Sequence, residues 1–241
     1  MELRLDKYIA SAGERSRREV KELVRRGRIL VDGVPAAGPE QKVDPATQRV
    51  TLDGEELRYE EFTYVMLHKP AGVLSASEDR RARTVLDLLP PELRKRGITP
   101  VGRLDKDTEG LLLLTNDGAL THQLLSPKSH VDKRYYARVE GTLTAEDAAA
   151  FRQGIALSDF TCLPAELELS APGECIVTVR EGKFHQVKRM LASRGAPVTY
   201  LKRLSMGPLT LDADLPLGAW RPLLEAEIDA LRCAVGKNIE K

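Results

Sequence analysis

The residues best suited to chemistry lie in the segment 101–118. Arg103 and Asp105 follow a glycine there, and the apolar run Leu111–Leu114 behind them predicts a strand that can only be buried. A carboxylate beside a buried strand is held in place instead of moving freely in solvent. Asp105 is therefore placed as a nucleophile or a general base would be.

Two other carboxylates, Asp107 and Glu109, compete with Asp105 for this role. If the segment is extended, Arg103 and Asp105 share one side and Lys106 lies on the other. An acidic turn that merely caps the strand is the alternative without chemistry.

A basic helix is predicted at 185–194, after a strand that ends at Gly182. Its apolar stripe consists of Val187, Met190 and Leu191. Lys188 and Arg189 lie close to that stripe, and a buried cation needs a carboxylate partner, for which Asp105 is a candidate. The alternative is a surface helix that contacts phosphates only.

The strand predicted at 133–139 places aromatic side chains among cations. Tyrosines in such a strand can stack on unpaired bases while the flanking cations hold phosphates. Core tyrosines explain the same pattern equally well. A fourth segment, His-Lys-Pro-Ala-Gly at 68–72, indicates by itself only a tight loop.

Composition indicates a globular chain with one medium domain and one small domain: it has 241 residues, 42% hydrophobic and 30% charged. No apolar run reaches the roughly 20 residues of a membrane helix, and the N-terminus lacks a signal core. Three widely spaced cysteines fit neither a disulfide framework nor a zinc site. Histidine pairs at metal-binding spacing and phosphate-loop motifs are also missing. We therefore expect a cytoplasmic protein without a metal or a nucleotide cofactor.

The net charge of +1 conceals a strong segregation of charge along the chain. Residues 1–30 hold nine Lys/Arg and five Asp/Glu, whereas residues 31–61 hold three and eight. Residues 180–206 hold seven and one. Because local fields attract a phosphate backbone, these basic regions favour nucleic acid as a partner.

The N-terminal segment predicts two helices followed by short strands. Ser16 is expected to cap the second helix, and the outward face of that helix carries Arg17, Arg18, Lys21, Arg25 and Arg26. The runs 5–9, 16–18 and 27–33 resemble the small RNA-binding module first seen in small-subunit ribosomal protein four. The resemblance covers roughly residues 2–50 and implies binding of structured RNA through phosphates and shape. A two-helix domain with a solvated basic face is the alternative.

Four segments, in their order along the chain, resemble the pseudouridine synthases. Residues 102–112 are similar to the catalytic motif, and residues 68–72 to a first motif, Asn-Lys-Pro-x-Gly, with histidine in place of asparagine. Residues 133–135 are similar to a Lys-x-Tyr strand, and residues 181–190 to a third motif. The resemblance covers residues 62–232 and implies isomerisation of uridine in RNA without a cofactor.

The resemblance also implies roles for individual residues. Asp105 is the catalytic carboxylate and acts on the sugar as nucleophile or as base, and Lys188 pairs with it. Tyr135 stacks on the target ring and helps to remove the proton at the new bonding carbon. Arg103 fills the gap left by the flipped uridine. Further RNA contacts are expected from Lys133, His185, Gln186 and Arg189.

The run His185–Lys188 favours the branch that acts on small-subunit ribosomal RNA, because the large-subunit branch usually begins this run with Arg-Gln. Large-subunit ribosomal RNA or tRNA are alternative substrates, and a non-catalytic RNA-binding assembly factor is an alternative function. A glycosidase using Asp105 and Glu109 fits less well, since basic faces suit phosphates rather than neutral sugars.

The sequence thus predicts an α+β protein with two domains. A small RNA-binding domain is expected at 1–59, and a mixed, mostly antiparallel catalytic domain at 60–241. We expect a monomer whose partner is ribosomal RNA, either free or partly assembled with ribosomal proteins.

Overall fold

The computed structural model describes residues 2–11, 17–57 and 59–236, without the side chains of Arg17 and Pro127. The chain forms two compact units, Met1–Thr63 with Pro90–Gly97, and Tyr64–Leu89 with Ile98–Lys241. The predicted boundary instead placed everything after residue 59 in the second domain.

Pro90–Gly97 belongs to the first unit because of a contact distant in sequence. The guanidinium of Arg96 donates to the Glu60 carboxylate at 2.7 Å and to the Thr63 hydroxyl at 2.9 Å. The sequence pattern around residues 90–97 gives no sign of these contacts, so the sequence could not predict that this segment joins the first unit.

In its described residues, the first unit contains the two predicted helices, six short strands and a helix from the segment Pro90–Gly97. The strand β1 precedes the first helix, whereas the prediction placed the strands after both helices. Its elements are β1 (Leu3–Arg4), α1 (Leu5–Ser11), α2 (Arg17–Arg25), β2 (Ile29–Val31), β3 (Val34–Pro35), β4 (Lys42–Val43), β5 (Val50–Leu52), β6 (Glu55–Leu57) and α3 (Pro91–Lys95). Strands β3-β2-β5-β6 form an antiparallel sheet, and β1 pairs with β4.

Apolar positions at helical and strand spacing build the core of this unit. Leu5 and Ile9 of α1 and Val20 of α2 are buried against Ile29 and Val50 of the sheet. An Asp-Gly turn follows β2, with left-handed backbone at residues 32 and 33. The predicted Ser16 cap lies outside the described residues.

The second unit is built on a nine-stranded sheet with helices packed against it. Its elements are β7 (Tyr64–Lys69), β8 (Thr99–Pro100), β9 (Glu109–Thr115), α4 (Gly118–Leu125), β10 (Lys133–Val139), α5 (Ala145–Gln153), β11 (Glu166–Ala171), β12 (Glu174–Val179), α6 (Gln186–Ser193), β13 (Val198–Met206), β14 (Leu209–Thr210), β15 (Trp220–Pro222) and α7 (Glu225–Gly236), with 3₁₀ turns at Val85–Leu88 and Pro127–Ser129. The strand order is β11-β12-β10-β13-β9-β7-β15, with β14 on β13 and β8 on β9.

The α+β class and the mostly antiparallel sheet are confirmed. Among the described strand pairs of this sheet, β9 and β13 alone are parallel. The predicted buried strand is β9, in which Leu111–Leu114 are fully inaccessible to solvent. None of the helices in the described ranges combines the length and apolarity that crossing a bilayer requires.

The sheet register lines up residues from segments far apart in sequence. Tyr135 of β10 lies opposite Arg203 of β13, Arg203 lies opposite Gly110 of β9, and Gly110 lies opposite Lys69 of β7. Paired residues project to the same face of a sheet. This row therefore brings together residues of three motifs, those at 68–72, 102–112 and 133–135.

Within that row, the backbones of Gly110 and Arg203 approach each other closely. The φ of Gly110 is +107°, and a Cβ atom there would lie 2.3 Å from the carbonyl oxygen of Arg203. Only glycine allows both this backbone conformation and this approach of two parallel strands.

We expect Gly110→Ala to lower the free energy of unfolding by about 2–4 kcal/mol, because it adds backbone strain and a steric clash. Urea unfolding followed by circular dichroism measures the change. Gly118→Ala is the matched control: it lies in a helix with open space around its Cβ position, and a change within about 1 kcal/mol is expected. Equal stability of the Gly110→Ala variant and the wild type would contradict the close approach.

Candidate active site

Asp105 lies in the loop between β8 and β9, on the wall of an open cavity. Its backbone carbonyl accepts a hydrogen bond from the amide of Thr108 at 3.1 Å, which closes a turn. Thr108 also lines this cavity, and its hydroxyl is buried with no hydrogen-bond partner within the described part of the chain. The Asp105 side chain is 27% exposed, so the group that the loop presents to a ligand is the carboxylate.

Lys188 of α6 reaches the same loop. Its ammonium lies 3.2 Å from Asp105 Oδ2 and donates to Asp107 Oδ1 at 2.6 Å. The structure thus brings Lys188 to Asp105, as the sequence suggested, but it also gives Lys188 a second carboxylate. This hydrogen bond from Lys188 lowers the pKa of Asp107 below its usual value.

The other two carboxylates of the segment are less suited to act in the cavity. The side chain of Asp107 is 75% exposed. Glu109 accepts a hydrogen bond at 2.7 Å from the hydroxyl of Tyr200, and burial together with this bond raises the pKa of Tyr200 to about 12. Asp105 is the one of the three that lines the cavity.

His185 and Tyr135 complete the walls around Asp105. His185 precedes α6 with a left-handed backbone (φ 48°), and its Nε2 lies 3.6 Å from Asp105 Oδ1. Tyr135 projects from β10 into the same cavity and is half-buried. The sequence predicted an RNA contact for His185 and gave no reason to place it beside the carboxylate.

Lys69 is the residue of this site that sequence reasoning missed. It is fully buried, and its ammonium donates to the carbonyl oxygens of Pro70, Asp105, Lys106 and Thr108 at 2.9–3.3 Å. Burial lowers the pKa of Lys69 to about 8. The sequence signal that could have revealed it is the lysine in the 68–72 segment. A single lysine before a proline, however, does not by itself predict a buried ammonium.

Further contacts attach the loop to the chain after β7. The Ser75 hydroxyl donates to the Leu104 carbonyl at 2.9 Å and accepts from the Leu104 amide at 3.0 Å. The amide of Gly72 donates to the Lys106 carbonyl at 2.7 Å. The backbone around Asp105 is therefore fixed from several directions.

Two residues expected to contact RNA are largely buried, although Gln186 is also among the residues that line the cavity. Lys133 is 7% exposed, donates to the Val131 carbonyl at 3.1 Å, and has a pKa lowered to about 8 by burial. Gln186 is 4% exposed; it donates to the Glu181 carboxylate at 2.7 Å and accepts from the Lys183 amide at 3.0 Å. Strand alternation turns Lys133 inward, and Gln186 closes the turn before α6.

The remaining cations near the cavity differ in exposure. Arg103 is exposed and lines the cavity. Arg189 is half-buried, forms an ion pair with Asp159, and lies over the ring of Phe160 at 5.1 Å. Arg189 is therefore committed to intramolecular contacts, whereas Arg103 faces solvent at the site.

On helix α2 the predicted basic face is present, but its members are not equivalent. Arg18 and Lys21 are exposed. Arg25 and Arg26 both donate to the Glu22 carboxylate at 2.8 Å. The side chain of Arg17 lies outside the described residues.

In the residues that the structure describes, no three His, Cys, Asp or Glu side chains are grouped as metal ligands would be. The chemistry available at this site is that of a carboxylate next to cations and a tyrosine.

Sequence models and a solved structure of known proteins match this chain. Residues 63–193 match the sequence model of the RNA pseudouridylate synthases, and residues 3–50 match that of the S4 domain. A crystal structure of a pseudouridylate synthase superposes with a TM-score of 0.68 at 33% identity, covering 95% of this chain and 99% of the other.

Relatives with similar sequences extend over nearly the whole chain. An uncharacterised RNA pseudouridine synthase of Bacillus subtilis is 47% identical over 95% of this chain and 98% of its own. Ribosomal small subunit pseudouridine synthase A of Pseudomonas aeruginosa is 41% identical (94% and 99% covered). The Escherichia coli protein of that name is 38% identical (94% and 98% covered).

The buried ammonium of Lys69 makes stability depend on pH. Below pH 8 the lysine is charged in both states, and the cost of burying the charge is fully present. Between pH 8 and the ordinary value of 10.5, the unfolded chain binds more protons, so stability rises with pH.

We therefore expect the unfolding free energy of the wild type, relative to Lys69→Met, to increase from pH 8 to pH 10 and to be constant from pH 6 to pH 7.5. Urea unfolding of both proteins across this range measures it. A difference that stays constant up to pH 10 would mean that the four carbonyls offset the cost of burying the ammonium, so that the pKa of Lys69 is not lowered.

Proposed function

Because the chain belongs to the RNA pseudouridine synthase family, we propose that it isomerises a specific uridine of small-subunit ribosomal RNA and that Asp105 is the catalytic carboxylate. The observation that carries the second part is the position of Asp105: of the three carboxylates in its segment, it alone lines the cavity, and it lies 3.2 Å from Lys188.

In the reaction, the bond between ribose C1′ and uracil N1 breaks, the base rotates, and a bond from C1′ to C5 forms. The proton on C5 is lost and N1 gains one, so the product is an isomer of the substrate. Asp105 acts on the sugar, either as nucleophile or as base. In both cases the carboxylate must be ionised and oriented, and Lys188 supports both requirements.

Tyr135 is proposed to stack on the uracil ring and to help remove the proton from C5. It projects into the cavity from the strand that pairs with β13, so the sheet sets the position of its ring. Arg103 is proposed to occupy the gap that the uridine leaves in the RNA stack. Base flipping costs a few kcal/mol and is easiest for an unpaired base, so a loop or a bulge is the expected target.

Two observations support small-subunit ribosomal RNA as the substrate. Relatives that are 41% and 38% identical are named ribosomal small subunit pseudouridine synthase A. The run His185–Lys188 also has the form expected of that branch. The same proposal places the protein in the cytoplasm, as a monomer that acts on free or partly assembled ribosomal RNA.

The N-terminal S4 domain is proposed to bind the RNA outside the target nucleotide. Arg18 and Lys21 present exposed charges on α2, as phosphate contacts require. A non-catalytic assembly factor would need these cations but would have no need of Asp105, Lys188 and Tyr135 around one cavity.

The decisive experiment incubates the protein with protein-free small-subunit RNA, partly assembled small subunits, large-subunit RNA and tRNA, and then maps pseudouridine at single-nucleotide resolution. We expect one uridine of small-subunit RNA to be modified. Modification of large-subunit RNA or tRNA alone would refute the proposed target but not the catalytic site.

We expect Asp105→Asn to reduce the single-turnover rate on that RNA by at least about 10²–10⁴-fold, because the amide can act neither as nucleophile nor as base. Asp107→Asn is the matched control, since it removes the neighbouring charge that also contacts Lys188. It should retain most of the activity. If Asp105→Asn is as active as the wild type, the role given to Asp105 is wrong.

RNA affinity should fall steeply with salt, and the two pairs of cations in and directly after α2 should contribute unequally. Replacing Arg18 and Lys21 by Gln should reduce the slope of log K against log salt by about 1 for each phosphate that is no longer neutralised. Replacing Arg25 and Arg26, which already pair with Glu22, should change the slope less. Filter binding at several salt concentrations measures both; equal effects of the two pairs would contradict this assignment.

A further inference from the structure

Phe184 is the most exposed large hydrophobic side chain among the described residues, with 76% of its surface in solvent. It lies in the polar turn between β12 and α6, where an exposed aromatic ring has no role in the core. Isolated exposed apolar residues are common on protein surfaces. The surroundings of Phe184 set it apart from those cases.

The first of these surroundings is a stacked pair of rings. The Phe184 and His185 rings have their centroids 3.9 Å apart at an interplanar angle of 16°. One face of Phe184 is therefore covered by His185, and its high exposure leaves the opposite face open to solvent.

The turn that carries this pair is rigidly built. Glu181 accepts hydrogen bonds from Gln186 and from the backbone amide of Leu163, and Gln186 accepts from the amide of Lys183. The left-handed backbone of His185, unusual for a residue other than glycine, then orients the two rings. A ring held in this way loses little conformational entropy when it binds a ligand.

The pair also lies at the edge of the catalytic cavity. His185 lines the cavity, and its Nε2 is 3.6 Å from Asp105. The ring of His185 therefore lies at the cavity edge, and the ring of Phe184 lies outside it. Lys183 lines the cavity from the same turn, and its ammonium lies 5.8 Å from the centre of the Phe160 ring.

We infer that Phe184 and His185 form a stacking platform for an unpaired nucleobase adjacent to the target uridine. The inference rests on the proposed binding of that uridine at Asp105. A flipped uridine leaves its neighbours with one unstacked face, and single-stranded RNA is bound by stacking its bases on aromatic rings. The open face of Phe184 meets this need at the edge of the cavity.

A binding cycle that varies both protein and RNA tests the platform. The RNA is the shortest hairpin that contains the uridine modified by the wild type, prepared intact and with an abasic site immediately 5′ or 3′ of that uridine. The proteins are the wild type, Phe184→Ala, Phe184→Leu, Phe184→Trp and the control Leu224→Ala, which truncates another exposed apolar side chain of the same unit (66% exposed).

On intact RNA, Phe184→Ala should weaken binding by about 5- to 150-fold, the range for removal of one base–aromatic stack. Phe184→Leu should resemble Phe184→Ala, because it keeps an apolar cover over His185 without a π-face. Phe184→Trp and Leu224→Ala should bind like the wild type. On one of the two abasic RNAs, the difference between the wild type and Phe184→Ala should vanish.

A penalty for Phe184→Ala that persists on both abasic RNAs, or binding of Phe184→Leu equal to that of the wild type, overturns the inference. The readout is binding, so it does not depend on the role of Asp105. If the modified RNA is a large-subunit RNA or a tRNA, the same cycle is run on that RNA: the proposed target then fails, while the platform is still decided.

Discussion

The ammonium of Lys69 is the centre on which the loop that carries Asp105 is organised. Three backbone carbonyls of the loop, those of Asp105, Lys106 and Thr108, point at this one buried cation. Carbonyls that converge in a dry interior are unfavourable without a donor, and a buried ammonium is unfavourable without acceptors. The ammonium therefore supplies donors to the carbonyl oxygens, and the carbonyl oxygens supply acceptors to the ammonium. The Asp105 backbone is fixed, and its carboxylate is left to face the cavity.

The parallel contact of β9 with β13 is the second constraint. It depends on Gly110, which lets the two backbones approach beside Arg203. Since β13 also pairs with β10, this contact brings the strand that carries Tyr135 to the loop that carries Asp105. Helix α6, immediately before β13, delivers Lys188 to the same place. Three segments separated by tens of residues therefore converge on one cavity.

Much of this fold could be predicted from local pattern. The continuous apolar run of β9, the alternation in β10 and β12, and the stripe of α6 each follow from burial with a fixed period. The individual contacts could not. Lys133 and Tyr135 lie in one short strand, yet the lysine is buried and the tyrosine lines the cavity. Gln186, in an apparently basic surface helix, is itself buried and closes the turn before that helix. Such differences depend on what packs above each position, and a one-dimensional pattern carries no information about that.

The sequence by itself predicted most of the element types, because residue types and short-range spacing encode them, and the resemblance of its motifs to the pseudouridine synthases indicated the family and singled out Asp105. Only the tertiary structure decided that Lys69 anchors the loop, that Lys188 is shared between Asp105 and Asp107, and that His185 stands beside the carboxylate. These are contacts between residues 36 to 83 positions apart in the chain. Their existence depends on strand order and register, which the packing of the whole sheet settles and no single segment specifies.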